Sequence, residues 1–273
     1  MINPPRLSNV SIRAGAGSDS QTLIVGFTVG PPAFAGTKTL LIRGIGPTLT
    51  AFNVSSVLAD PVLNVFNGTA SIASNDDWSN DPQVIAQGAA LGAFPLPAGS
   101  KDSALVTTVP SGGYTVQLTG KAGTTGVALV EVYDASASAS FTATTLRLTN
   151  VSARTQVGTG GNILITGFVA AGDGARRVLI RAIGPSLTEF GVAGALADPK
   201  LELYNSATVK TDENDNWDAS TADAQKSAGA FPLTPGSKDA VIVATLASGS
   251  FTAQVSGVGG TTGVALVEIY ELP

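Results

Sequence analysis

The chain has 273 residues, of which 44% are hydrophobic and only 13% charged, and its net charge is −5. Enough apolar residue is present for a real core, which excludes disorder, and the absence of any basic run excludes nucleic acid and anionic membrane as partners. Cys and His are both absent, which removes disulfides, thiolate zinc sites, a cysteine nucleophile and the Ser-His-Asp triad.

Taken in chain order, the sequence reads as short strands between Gly- and Pro-rich turns, as its 32 Gly and 15 Pro suggest. The opening "MINPPRLSNV" lacks the apolar segment of a signal peptide. No apolar run is long enough to cross a bilayer, so no membrane insertion is expected. "TLIVGFTV", "TLLIRGI" and "GVALVEVY" are β-branched apolar runs. In "TVQLTG", apolar and polar residues alternate, as on a half-buried strand. The only helical candidates are short: Pro47–Phe52 and Asp81–Leu91, with counterparts at Pro185–Phe190 and Thr221–Ala228.

Those counterparts belong to a repeat that runs through the whole chain. "RLSNVSIR" at Arg6 returns as "RLTNVSAR" at Arg147, and "LLIRGIGPTLTAF" at Leu40 as "VLIRAIGPSLTEF" at Val178. "LADPVLNVFN", "SNDDW", "GAFPLPAGSKDSALV" and "GTTGVALVEVYD" return in the same order. The offset drifts from 141 (147 minus 6) to 137 (260 minus 123), which small loop insertions explain. Each copy is about 130 residues, the size of a domain rather than of a solenoid repeat. The expected fold is all-β: two tandem antiparallel β-sandwiches of jelly-roll type, residues 1–137 and 138–273. "DASASASFTATTL" (Asp134–Leu146) is read as a linker that becomes the first strand of the second copy. Only "MINPP" precedes Arg6, so the first copy is expected to lack that strand and to leave a sheet edge open.

The stretch "LNVFNGTASIASNDDW…SALVTTVPSGGYTVQL" resembles the bacterial pre-peptidase C-terminal domain. The matching elements are an apolar strand ending in an aromatic and Asn, then "NDD", then L-x-x-G-x-[YF]-T. The whole repeat also resembles a module found near the C-terminal ends of large secreted proteins of environmental bacteria, through "VLIRAIGPSL", "ALADP", "NDNW" and "GTTGVALVEIY". The resemblance implies a non-catalytic β-sandwich attached to a secreted protein, with calcium or substrate polymers as ligands of some members.

Asp212, Asn214, Asn216 and Asp218 stand at i, i+2, i+4 and i+6 in "TDENDNWD", a spacing that can turn oxygen ligands toward calcium. The equivalent positions of the first copy are Ala73, Asn75, Asp77 and Ser79, half of them without a ligand. An Asx-rich turn bonding its own backbone is the plainer account. Trp78 and Trp217, the only tryptophans, suit either a sugar-binding platform or a core plug at the sandwich edge. Asp102 and Asp239 in "GSKD" read as exposed turns paired with the adjacent lysines, and Asp60 and Asp198 as turn residues before proline. Alternation puts Glu131 on one face with Val127, Leu129 and Tyr133, and Arg43 on one face with Leu41. Buried Arg43–Glu131 and Arg181–Glu268 pairs follow, since an acid among apolar neighbours needs a partner.

The expected function is a non-catalytic, extracellular structural or adhesive module. Its partners would be other copies of itself or neighbouring repeats, assembled head-to-tail through sheet edges into a filament. The alternative is a calcium-assisted carbohydrate-binding module of a secreted enzyme, which binds polysaccharide. An enzyme using paired acids would need two carboxylates facing a cleft, and no pair in the sequence announces itself.

Overall fold

The computed structural model describes residues 3–18, 21–136 and 141–273. The first half carries β1 (Arg6–Ala16), β2 (Leu23–Gly30), β3 (Thr37–Ile45), β4 (Pro61–Asn67), β5 (Ala70–Asn75), helix α1 (Pro82–Ala90), β6 (Ser103–Pro110), β7 (Gly112–Gly120) and β8 (Gly126–Asp134). The second half repeats that order with β9 (Arg147–Val157), β10 (Leu164–Ala171), β11 (Arg176–Ile183), β12 (Pro199–Asn205), β13 (Lys210–Asn214), α2 (Ala222–Ser227), β14 (Ala240–Leu246), β15 (Gly249–Gly257) and β16 (Gly263–Glu271). Pro47–Phe52 and Pro185–Phe190 form 3-10 turns. Among the described residues no helix is long and apolar enough to cross a membrane.

Within each half the pairings give the two four-stranded sheets of an eight-stranded jelly roll. In the first half these are β6-β3-β8-β1 and β2-β7-β4-β5, and in the second β14-β11-β16-β9 and β10-β15-β12-β13, all antiparallel. Side-chain alternation fixes what faces inward. β8 turns Ala128, Val130 and Val132 into the core, and β16 turns Ala265, Val267 and Ile269 into it. Phe27 stacks on Tyr114 at 5.3 Å between centroids, and Phe168 on Phe251 at 5.6 Å. Asn75 and Asn214 close the outer ends of the sandwiches. Each amide oxygen accepts a backbone N–H of the facing sheet, from Ala104 and Val241 respectively, both at 2.9 Å.

The two halves are not separate sandwiches, which corrects the expectation of independent units divided at 137/138. β1 pairs along β10, from Arg6↔Ala171 to Arg13↔Ile165. β9 pairs along β2, from Ile24↔Arg154 to Gly30↔Arg147. Each sheet of one half therefore continues into a sheet of the other, and one apolar core contains residues of both. The physical reason lies in the jelly roll itself, which ends one sheet at its first strand and the other at its second. Those edges carry unpaired N–H and C=O groups, and each half covers the other's. The seam also needs glycine opposite serine. A Cβ on Gly26 would lie 2.6 Å from Ser152 Oγ, and one on Gly167 would lie 2.6 Å from Ser11 Oγ.

Two further expectations are corrected. Residues 141–146 form no strand; Phe141 is instead buried beneath Arg6, whose guanidinium stands 3.9 Å from the ring centroid. Residues 137–140 of the expected linker strand lie outside the described residues. The first half also does not lack a strand, because β1 and β9 are equivalents of 11 residues each. The edge expected to be open is covered by the second half. Among the described residues, the strands with one open edge are β5, β6, β13 and β14. Of these, β13 is guarded by Lys210, Asp212 and Glu213.

Candidate functional site

On the outer face of each half, a short helix and the loop after it lie over a buried charge. Strand register sets Arg43 opposite Glu131 and Arg181 opposite Glu268. Arg43 Nε donates to Glu131 Oε2 at 2.7 Å, and Arg181 Nε to Glu268 Oε2 at 2.9 Å; in each pair Nη2 donates to the same oxygen. Arg43 is 2% exposed and Arg181 0%, so neither guanidinium is screened by water. The remaining carboxylate oxygen accepts the hydroxyl of Tyr133 or Tyr270, each at 2.9 Å. Each Nη1 donates to a loop carbonyl, Phe94 at 2.6 Å or Phe231 at 2.7 Å, and each guanidinium stacks over that same phenylalanine ring.

Burial, and then the neighbouring carboxylate, push the Tyr133 and Tyr270 phenols well above their ordinary value. The folded chain keeps these phenols protonated where the unfolded chain ionises them, above about pH 10. The stability linked to them is therefore intact below that pH and lost as pH rises beyond it. In an alkaline titration followed by phenolate absorbance, Tyr133 and Tyr270 should ionise only as the protein unfolds. Both ionising near pH 10 with the fold intact would contradict the buried arrangement.

Asp102 and Asp239 lie fully buried, against the expectation of exposed turns paired with lysine. Asp102 accepts the N–H of Gly46 at 2.8 Å and of Thr48 at 3.3 Å, and the hydroxyls of Thr48 and of Ser100, the latter at 2.7 Å. Asp239 repeats this with Gly184, Ser186 and Ser237. Their lysines turn outward, Lys101 to Asp77 at 3.0 Å and Lys238 to Asp198. These carboxylates pin the turn after β3 and β11. Glycine is required in that turn, since a Cβ on Gly46 or Gly184 would meet the carbonyl oxygen of Leu58 or Leu196 at 2.0 Å. The signal available in the sequence was the joint recurrence of "IGP[TS]" and "GSKD", whose hydroxyl and carboxylate partners are kept in both copies.

Trp78 is buried at 4% exposure and Trp217 is half-buried against the second outer cluster. Their indole N–H groups donate to Ser100 at 3.0 Å and Ser237 at 3.1 Å. Both are plugs, and Trp78 offers no sugar platform. The exposed aromatics are instead Phe52 and Phe190, 53% and 60% exposed, at the ends of the two 3-10 turns. They line equivalent grooves of about 320 and 350 Å³ along the seam. One groove adds Ser11, Arg13 and Gly167, and the other adds Ser152, Arg154 and Gly26. Sequence reasoning missed them because only the β1–β10 and β9–β2 pairings bring these residues beside the aromatics.

The four proposed calcium ligands are engaged locally. Asn214 Oδ1 accepts from Val241 and Nδ2 donates to the Asn216 carbonyl at 3.0 Å, while Asn216 Nδ2 donates to Asp215 at 3.1 Å. Asp212 accepts the Glu213 N–H and Asp218 the Ser220 N–H, each at 2.8 Å; the Ser220 side chain, and then its backbone N–H, draw the Asp218 carboxyl below its ordinary range. Asn75 makes the same bracket to Ala104 and to Asp77 in the first half, so this asparagine has a role in both halves that needs no ion. Among the described residues, no group of three or more His, Cys, Asp or Glu is arranged to hold a metal.

A second charged cluster lies at the seam. Glu271 accepts the N–H of Leu7 at 3.1 Å and pairs with Arg147 at 2.7 Å and Arg176 at 2.8 Å. Lys38, 1% exposed, pairs with Asp134 at 3.0 Å. Its pKa is lowered by burial against the pull of Asp134.

No family model matches the chain, and no curated protein does. Among solved structures, an 11S allergen of Cocos nucifera aligns over 94% of this chain and 80% of its own, at 7% identity and a TM-score of 0.20. Procruciferin, an 11S globulin of Brassica napus, aligns over 96% and 77%, at 6% identity and a TM-score of 0.18. A vicilin of Solanum melongena aligns over 96% and 74%, at 9% identity and a TM-score of 0.18. Likeness this slight carries no argument about function.

Proposed function

We propose that this chain is a non-catalytic structural or adhesive module of an extracellular protein, acting through its surface. What carries this reading is the pair of seam grooves, each with an exposed phenylalanine beside a guanidinium and hydroxyls, on the two equivalent faces. The same chemistry presented twice on sheets that run through both halves suits multivalent contact, where a second engagement gains from the first. A flat aromatic face with polar neighbours suits another copy of the module or a polysaccharide chain. The acids of the interior support the same view, because Glu131, Glu268, Asp102, Asp239, Asp134 and Glu271 are all committed to cations or turn donors.

The test compares wild type with the Phe52→Ser/Phe190→Ser double variant. Light scattering across a concentration series reads self-association, and retention on insoluble cellulose and chitin reads polysaccharide binding. Wild type should show one or the other, and the double variant should lose it. A wild type that stays monomeric and is retained on neither polymer would sink the proposal, as would a double variant that behaves identically.

A further inference from the structure

The two halves place the same lid over the same ion pair but fill it differently. The Gly88 carbonyl accepts from Ala93 N at 2.9 Å and the Gln225 carbonyl from Ala230 N at 3.1 Å. Gly92 and Gly229 follow with φ of 70° and 69°. Gly88 and Gln225 therefore occupy equivalent positions. In the second half Gln225 is buried, and its Oε1 accepts from Arg181 Nη1 at 2.9 Å, beside the Phe231 carbonyl at 2.7 Å. In the first half Arg43 Nη1 has the Phe94 carbonyl alone. Where the glutamine side chain would stand there is a cavity of about 480 Å³, lined by Arg43, Trp78, Val84, Ile85, Phe94 and Leu96.

We propose that this cavity binds a small neutral molecule that carries an amide or carbonyl oxygen on a compact apolar body. The oxygen takes the place of Gln225 Oε1 and accepts from Arg43 Nη1, whose guanidinium has more donors than its present partners use. The apolar body packs on Val84, Ile85 and Leu96. The volume falls within the range of small-molecule sites, which are mostly apolar with few polar anchors. Neutrality follows from Glu131, which already balances Arg43; a ligand carboxylate would bury a second anion beside it. A buried amide on the equivalent arginine is what the second half already contains.

Gly88→Gln should close the site. A Cβ on Gly88 meets no atom within 4 Å, and glutamine is a better helix former than glycine, so the variant should fold with a raised Tm. The measurement is a two-dimensional NMR titration of ¹⁵N-labelled protein with hexanamide, and with hexanoate as the charged control. Wild type should show saturable shifts at the Val84 and Gly88 amides and at Arg43 Nε–H. Hexanamide should bind at least about tenfold more tightly than hexanoate, and Gly88→Gln should abolish the shifts. Absence of saturable shifts in wild type, their persistence in Gly88→Gln, or equal binding of hexanoate would overturn the proposal. Should Gly88→Gln lose the native spectrum, Gln225→Gly decides. A second hexanamide site with shifts at Ala224 and Arg181 Nε–H upholds the assignment, and its absence overturns it.

Discussion

Glu268→Ala should destabilise the protein by about 3–5 kcal/mol, the usual cost of removing one partner of a buried ion pair. Arg181 is fully buried, with Glu268 Oε2 at 2.9 Å from Nε and 2.5 Å from Nη2. After truncation the guanidinium's remaining hydrogen-bond acceptors are the Phe231 carbonyl and Gln225 Oε1, both neutral. The Tyr270 hydroxyl loses its acceptor as well. Most of the expected cost is thus a stranded charge rather than the net value of the pair. That distinction is testable, because replacing both members by apolar residues of similar size often restores stability. Urea unfolding followed by circular dichroism should show the large loss in Glu268→Ala and a much smaller one in Arg181→Met/Glu268→Leu. A single variant that unfolds like wild type would mean that the pair does not hold the outer face.

The second large effect concerns the seam. A chain of residues 141–273 alone contains all eight strands of its jelly roll, β9 to β16, yet it loses β2 from the edge of β9 and β1 from the edge of β10. Two long, unpaired and largely apolar edges are not stable in water. The half should therefore pair with itself as a two-fold dimer, β9 of one copy along β10 of the other, in the register that β1 uses in the intact chain. Such an interface is self-complementary and closes. Light scattering coupled to size exclusion should give twice the mass of the half, falling to unfolded monomer on dilution, whereas the intact chain shows no such dilution dependence of its fold. Gly167→Val should weaken the dimer, because a Cβ there meets Ser11 Oγ in the native pairing and meets Ser152 Oγ in the dimer. A stable, folded monomer of the half would show that the seam adds nothing essential.

The reach of the sequence follows from the range of each interaction. A strand turns successive side chains to opposite faces, so the spacing of Leu129, Glu131 and Tyr133 and of Leu41 and Arg43 was enough to put acid and base on matched faces. The internal repeat supplied the second pair by the same logic, and it also marked the two short helical segments of each half. Residue type alone could not say that Asp102 and Asp239 are buried. Their donors at Gly46, Thr48 and Ser100 come together only when the turn after β3 closes on the start of β6, and each residue by itself reads as an ordinary surface turn. The same limit applied to the tryptophans, whose burial depends on what packs over the outer face.

What the sequence by itself determined was the strand pattern, the repeat, the all-β class and the charge pairs within each half, because these rest on period and on local neighbours. What only the tertiary structure decided was the continuation of each sheet into the other half, the seam grooves with Phe52 and Phe190, and the cavity over Arg43. Backbone edges carry no side-chain signature of their partner, so β1 along β10 cannot be told from an edge left open. The cavity is lined by Gly88 where the second half has Gln225, a difference whose meaning appears only when both lids are laid over their arginines.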